Sequence, residues 1–152
     1  MKYFLISIMM ISTLLSAIPE SEVDAEGITW LTNLEEAEQL AAEKDVPVFI
    51  HFTGSDWCGW CIKLKDEVYS KQIFQDYAAD NLIMVKIDFP KYTTLPEDTK
   101  NYNNALAQKY GVKGFPTVVI TDVEGKELAR TGYQYGGAAK YIDHIKELLG
   151  QE

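Results

Sequence analysis

The stretch Val46-Pro47-Val48-Phe49-Ile50-His51-Phe52-Thr53-Gly54-Ser55-Asp56-Trp57-Cys58-Gly59-Trp60-Cys61 decides the fold of this chain. Val46 to Phe52 is rich in β-branched and aromatic side chains. The run is too short for a helix and continuous enough for a buried strand. Pro47 stands at its start, where a missing backbone N–H is tolerated. Beyond the second cysteine, Ile62, Leu64, Lys65 and Val68 fall at helical spacing. Ile73, Phe74 and Tyr77 continue the pattern after a bend expected near Ser70. A strand therefore hands over to a helix, and both cysteines lie at the junction.

Upstream, Ile28 to Leu31 reads as a short edge strand. Thr32 stands three residues before Glu35, a capping-box spacing that predicts a helix over about 33–44. Downstream, Leu82 to Phe89 reads as a strand, followed by a loop that carries Pro90 and Pro96. Asp98 to Tyr110 predicts a helix with Tyr102, Ala105, Leu106 and Tyr110 inward. Val118 to Thr121, a turn at Asp122 to Gly125, and Lys126 to Tyr133 predict a hairpin. Gly136 and Gly137 precede a last helix with Tyr141, Ile142, Ile145, Leu148 and Leu149 on one face, ended by Gly150. Alternating strands and helices imply an α/β domain, a three-layer α/β/α sandwich around a central mixed sheet.

The first residues read differently. Lys2 precedes an apolar run, Tyr3 to Leu15, and Ser16 and Ala17 follow it. A basic start, a short apolar core and small residues make a secretory signal peptide. The run is shorter than the roughly 20 residues that a spanning helix needs. An uncleaved anchor and a buried helix are the other readings. The expected division is a leader over 1–17, with cleavage as late as 25 the alternative, an acidic linker over 18–27, and one domain over 28–150. The mature protein is then expected outside the cytoplasm, periplasmic or secreted.

With 23 Asp+Glu against 14 Lys+Arg and no basic cluster, the chain is not expected to track nucleic-acid phosphates. The chain's 2 cysteines both lie inside one motif, whereas a structural disulfide framework would spread them out. A pair three residues apart at a helix start suits redox chemistry. Cys58 would meet unpaired backbone N–H groups and the positive end of the dipole, which stabilise a thiolate. Cys61, one turn further in, could resolve a mixed disulfide. Half a zinc site and an inert pair are the competing readings, but structural zinc takes four ligands, and the remaining soft candidates, His51 and His144, have no finger-like spacing. No metal is expected, and no cofactor beyond the redox-active Cys58–Cys61 pair.

The motif Trp57-Cys58-Gly59-Trp60-Cys61, followed by Gly114-Phe115-Pro116-Thr117, resembles the thioredoxin-like family. The run from Phe52 to Cys61 is similar to small exported bacterial members and to the C-terminal domain of membrane thiol-disulfide interchange proteins. The resemblance covers roughly 28–150. It implies thiol-disulfide exchange with Cys58 and Cys61 as the catalytic pair and protein thiols or disulfides as substrates. A membrane electron donor and a monomeric state are the partner expectations. It also implies a cis Phe115–Pro116 bond beside the cysteines, with Phe115 pairing to a substrate strand; a trans proline opening a strand is the alternative. Trp57, Gly59 and Trp60 are expected to shape the substrate rim, with plain packing equally open for the two tryptophans.

Two departures matter. Gly59-Trp60 replaces the Gly-Pro usual in thioredoxins, so the direction of electron flow is unassigned. The acid that thioredoxins bury below the second cysteine has its nearest counterpart in His51, either a proton acceptor for Cys61 or a hydrogen-bonded strand residue. Lys86 and Asp88 are expected to serve structure or surface, and His144 to be solvated. A non-catalytic binding or chaperone module on the same fold is the rival function, and metal carriage a third.

Overall fold

The computed structural model describes residues 21–23 and 27–151. The leader read over 1–17 lies outside them. Six strands form one sheet: β1 (Ser21–Val23), β2 (Thr29–Leu31), β3 (Val48–Thr53), β4 (Ile83–Asp88), β5 (Thr117–Thr121) and β6 (Glu127–Thr131). Their spatial order is β1-β2-β4-β3-β5-β6. β3 pairs parallel with β4 and antiparallel with β5, so the sheet is mixed about its central strand. Every residue of β3 is buried, as the continuous apolar run predicts.

Helices cover both faces. α1 (Leu34–Lys44) and α4 (Glu97–Lys109) pack on the side of Val48, Ile50 and Phe52. The other side, carrying Phe49 and Val118, is covered by α2 (Gly59–Leu64), a π-helical turn (Lys65–Tyr69), α3 (Gln72–Asn81) and α5 (Gly137–Leu148). This is the three-layer sandwich expected from the alternation of elements. The pleat of β3 thus sends Phe49, His51 and Thr53 toward the layer that contains the cysteines.

Several local readings are corrected. The N-cap of α1 is Asn33, whose side chain accepts from Glu36 N at 2.9 Å, not Thr32. The bend near Ser70 is a wide π turn, which buries both Val68 and Tyr69 before α3 begins. On α4, Ala105 is exposed and Asn103 is buried in its place. Asn103 goes inward because its amide donates to Asp88 O at 2.8 Å, capping a strand-end carbonyl. His144 is half-buried and bonded to Thr131 Oγ1 at 2.8 Å, because α5 lies across the end of β6. Part of the stretch read as an acidic linker forms β1, antiparallel to β2.

Candidate active site at the strand-to-helix junction

β3 ends at Thr53, and four residues carry the chain to the first cysteine. A tight turn forms there, with Trp57 N and Cys58 N both donating to Gly54 O. Gly54 is required by a close approach: a Cβ at this position would lie 2.5 Å from Cε2 and Nε1 of Trp57. The turn delivers Cys58 in an extended conformation as the N-cap of α2. Its sulfur accepts from Cys61 N at 3.3 Å, and its carbonyl takes the first helical bond from Ile62 N. A cysteine here occupies the place where Ser or Asp usually satisfies the free amides of a helix start.

Cys58 and Cys61 are joined as a disulfide, with Cα atoms 5.2 Å apart. Cys58 is the outer member at 6% exposure against 2% for Cys61. Among the described residues no cluster of His, Cys, Asp and Glu could hold a metal ion.

Two aromatic walls flank the pair. On one side Trp57 stands edge-on to Phe115, at 6.0 Å between ring centroids, and Phe115 stacks on Phe89 at 5.1 Å. The Trp57 indole donates to Phe89 O at 2.8 Å, which fixes the ring despite its 45% exposure. The Phe115–Pro116 peptide is cis. On the other side Trp60, 50% exposed, packs on Tyr133 at 5.1 Å and reaches Tyr135 at 6.2 Å. Lys63 Nζ lies over all three of these rings, at 5.3, 5.3 and 5.4 Å from their centroids. Glu67 ties the group together, accepting from the Tyr133 hydroxyl and pairing with Lys63 at 3.7 Å. Trp57 and Trp60 are therefore exposed side chains with defined ring partners. Gly59 is exposed between the cysteines with open space around its Cα.

His51 sits in the layer beneath. It is buried, edge-on to Tyr69 at 5.2 Å and tilted against Trp30 at 5.9 Å, with Nε2 lacking a hydrogen-bond partner. Burial, assisted by the Lys86 ammonium, pushes its pKa down to about 3, so the ring is neutral at physiological pH. Lys86 is its cross-strand neighbour on β4. Asp88 serves structure, accepting from the amide and hydroxyl of Ser55 in the approach to the cysteines.

Sequence reasoning missed Gly54, Asp56, Lys63, Phe89, Tyr133 and Tyr135. Asp56 alone adjoined the motif, and its partners are three backbone amides of a distant loop, Lys91, Tyr92 and Thr93.

The family model of a thioredoxin-like domain matches residues 34–147. The Chlamydia pneumoniae protein named disulfide bond reductase DsbH is 39% identical over 127 residues, covering 84% of this chain and 76% of that protein. A solved structure titled DsbH oxidoreductase superposes with a TM-score of 0.77 at 38% identity, covering 82% of this chain and 86% of that one. The thiol:disulfide interchange protein DsbD of Haemophilus influenzae is 25% identical over 77% of this chain, which spans 19% of that longer protein. With a bonded C-x-x-C pair capping a helix, a thioredoxin-like domain matched over most of its length and a 39% identical relative, the chain belongs to the thioredoxin-like family and is a thiol-disulfide oxidoreductase.

Proposed function

We propose that this protein is an exported reductase of protein disulfides, with Cys58 as the attacking sulfur and Cys61 as the resolving one. The observation that carries the proposal is the place of Cys58: outermost of the pair, at the N-cap of α2, between two aromatic walls. In the reduced chain, the amides at that helix start favour the thiolate. The Cys58 thiolate attacks one sulfur of a substrate disulfide, forming a mixed disulfide and expelling the other substrate sulfur as a thiolate, which takes up a proton. Cys61 then gives up its proton and attacks Cys58 Sγ. The second substrate thiolate leaves, and the chain ends as the Cys58–Cys61 disulfide. Two electrons pass to the substrate, and a dithiol donor must return them.

His51 is the proposed acceptor for the Cys61 proton. Burial makes an imidazolium costly there, which leaves His51 a weak base that could hold the proton only in passing. Phe115 and Pro116 are proposed to line the substrate strand, with Trp57, Gly59 and Trp60 shaping the rim. The DsbH relative is named a reductase, which supports the direction of electron flow. The basic, apolar and small-residue start of the sequence supports export to the periplasm or beyond, with a leader over 1–17, or as far as 25, ahead of a domain at 28–150. The donor is placed in the membrane, and the protein is taken to work as a monomer.

The test is turnover of insulin disulfides by the purified, reduced chain. Cys58→Ser is expected to abolish it, and Cys61→Ser to accumulate mixed disulfides visible on non-reducing gels. Undiminished reduction by Cys58→Ser would reject the mechanism.

A further inference from the structure

The loop after β4 carries Lys91, Tyr92 and Thr93 alongside the turn that leads to Cys58, and its attachment is unusual. Part of it faces α4 across a gap. A hollow of about 160 Å³, lined by Phe89, Leu95 and Asn103 among others, lies between them. One side chain, that of Asp56, takes three of the loop's backbone amides. Asp56 Oδ1 accepts from Lys91 N at 2.8 Å, and Oδ2 accepts from Tyr92 N at 2.9 Å and Thr93 N at 3.0 Å. Three backbone donors on one half-buried carboxylate make a directional, charge-assisted attachment. They also hold the Asp56 carboxyl below the usual carboxylate range, the Lys91 N–H contributing most, so the attachment stays ionised at neutral pH.

The consequences reach the site through neighbours. Asp56 precedes Trp57, whose indole is bonded to Phe89 O at the root of the same loop. Phe89 stacks on Phe115, and Phe115 meets Trp57. The outer end of the loop presents Tyr92, 74% exposed, with Lys91 Nζ over its ring at 5.5 Å. Fixing residues 91–93 therefore fixes one wall of the approach to Cys58 and extends it outward. Such an extension has nothing to touch on a small disulfide. It lies where the chain on either side of a protein disulfide would run.

We propose that Asp56 is a positioning residue, latching the 91–93 loop so that the Trp57–Phe115–Phe89 wall is set for the flanks of a protein disulfide. The inference rests on the disulfide-exchange reading of Cys58 and Cys61. Asp56 touches neither the substrate sulfur nor the cysteines. It acts by removing the cost of ordering a loop at the moment of binding.

Two substrates separate this role from a merely structural one. Insulin and a small aromatic disulfide (dithiobis-nitrobenzoate) are compared on the full chain, on Asp56→Ala and on Asp56→Asn. The alanine variant is expected to raise KM for insulin about five- to tenfold, with kcat changed less than about twofold. Both constants for the small disulfide stay within about twofold of the parent. Asn keeps one acceptor oxygen and is expected to fall between. An equal loss on both substrates, or an unchanged KM for insulin, overturns the latch.

Amide exchange on the unmutated protein gives a check that needs no variant. The amides of residues 91–93 are expected to be protected; exchange at unfolded-chain rates overturns the proposal. No turnover of the small disulfide by the unmutated chain would instead sink the exchange reading itself, leaving the amide measurement standing.

Discussion

The two walls beside the disulfide are built by different forces. The Trp57–Phe115–Phe89 wall is held by hydrogen bonds of fixed direction: the indole to a backbone carbonyl, and the neighbouring Asp56 to three backbone amides. The Trp60–Tyr133–Tyr135 wall gathers around the Lys63 ammonium, which attracts ring faces without strict direction, and its directional bond is that of the Tyr133 hydroxyl to Glu67, which leaves Trp60 and Tyr135 unpinned by it. The first arrangement fails when one atom moves, because a hydrogen bond weakens steeply with misalignment. The second tolerates sliding. One side of the site is thus a fixed reference and the other an adjustable face, a combination suited to clients that share a disulfide and little else.

The sharpest way to break the contrast is Gly54→Ala. The added methyl meets the Trp57 ring, which is neither the end of a flexible chain nor free to shift without losing its bond to Phe89 O. Overpacking of this kind costs about 1–3 kcal/mol, measurable by urea unfolding of the oxidised protein. Indole fluorescence should change with it, and insulin turnover should fall while the Trp60 side stays intact. An alanine variant with parental stability and spectrum would show that the first wall is not fixed.

The layer beneath both walls is tested through His51. Its pKa is depressed to about 3 in the folded state, against about 6.5 in the unfolded chain. Above pH 6.5 the ring is neutral in both states and costs nothing. As pH falls below that value the unfolded chain takes up a proton that the native one refuses, so stability is lost down to about pH 3. Between pH 7 and pH 5 this linkage removes about 2 kcal/mol. His51→Leu should flatten that part of the stability profile, and an unchanged slope would place the ring in contact with solvent.

The smallest effect is expected from the adjustable wall. Lys63→Gln removes the cation but leaves three mutually packed rings, so insulin turnover should change less than about twofold. Because Lys63 and Glu67 are exposed to ions, raising salt should shift Trp60 emission in the parent and not in the variant. A large loss of activity would mean that this side is as fixed as the other.

Much of this architecture is legible in the sequence because it rests on periodicity. The seven-residue run into Phe52 has one stable outcome, a buried central strand. The cysteine spacing can be read for the same reason, since it lies within one helical turn. The walls are another matter. Phe89, Tyr133 and Tyr135 come from loops and strand ends far from Cys58 in the chain, and only the closed sheet brings them together; Phe115 enters the sequence reading through the family resemblance alone. Asp56 is harder still, because its partners are main-chain amides that carry no residue identity. Thr32 and Asn33 show the limit at short range: both can cap a helix, and which one does so depends on where the first turn begins.

The strand pairing at the far edge of the sheet bears on where the proposed leader would be cut. β1 covers the outer side of β2 over Thr29, Trp30 and Leu31. Processing after residue 17 would leave that guard rail in place. Processing after residue 25 would cut it away and leave a bare strand margin, the kind of surface on which identical chains zip together. Were the proposed leader removed, the position of the cut would then decide whether the chain stays dispersed or self-associates.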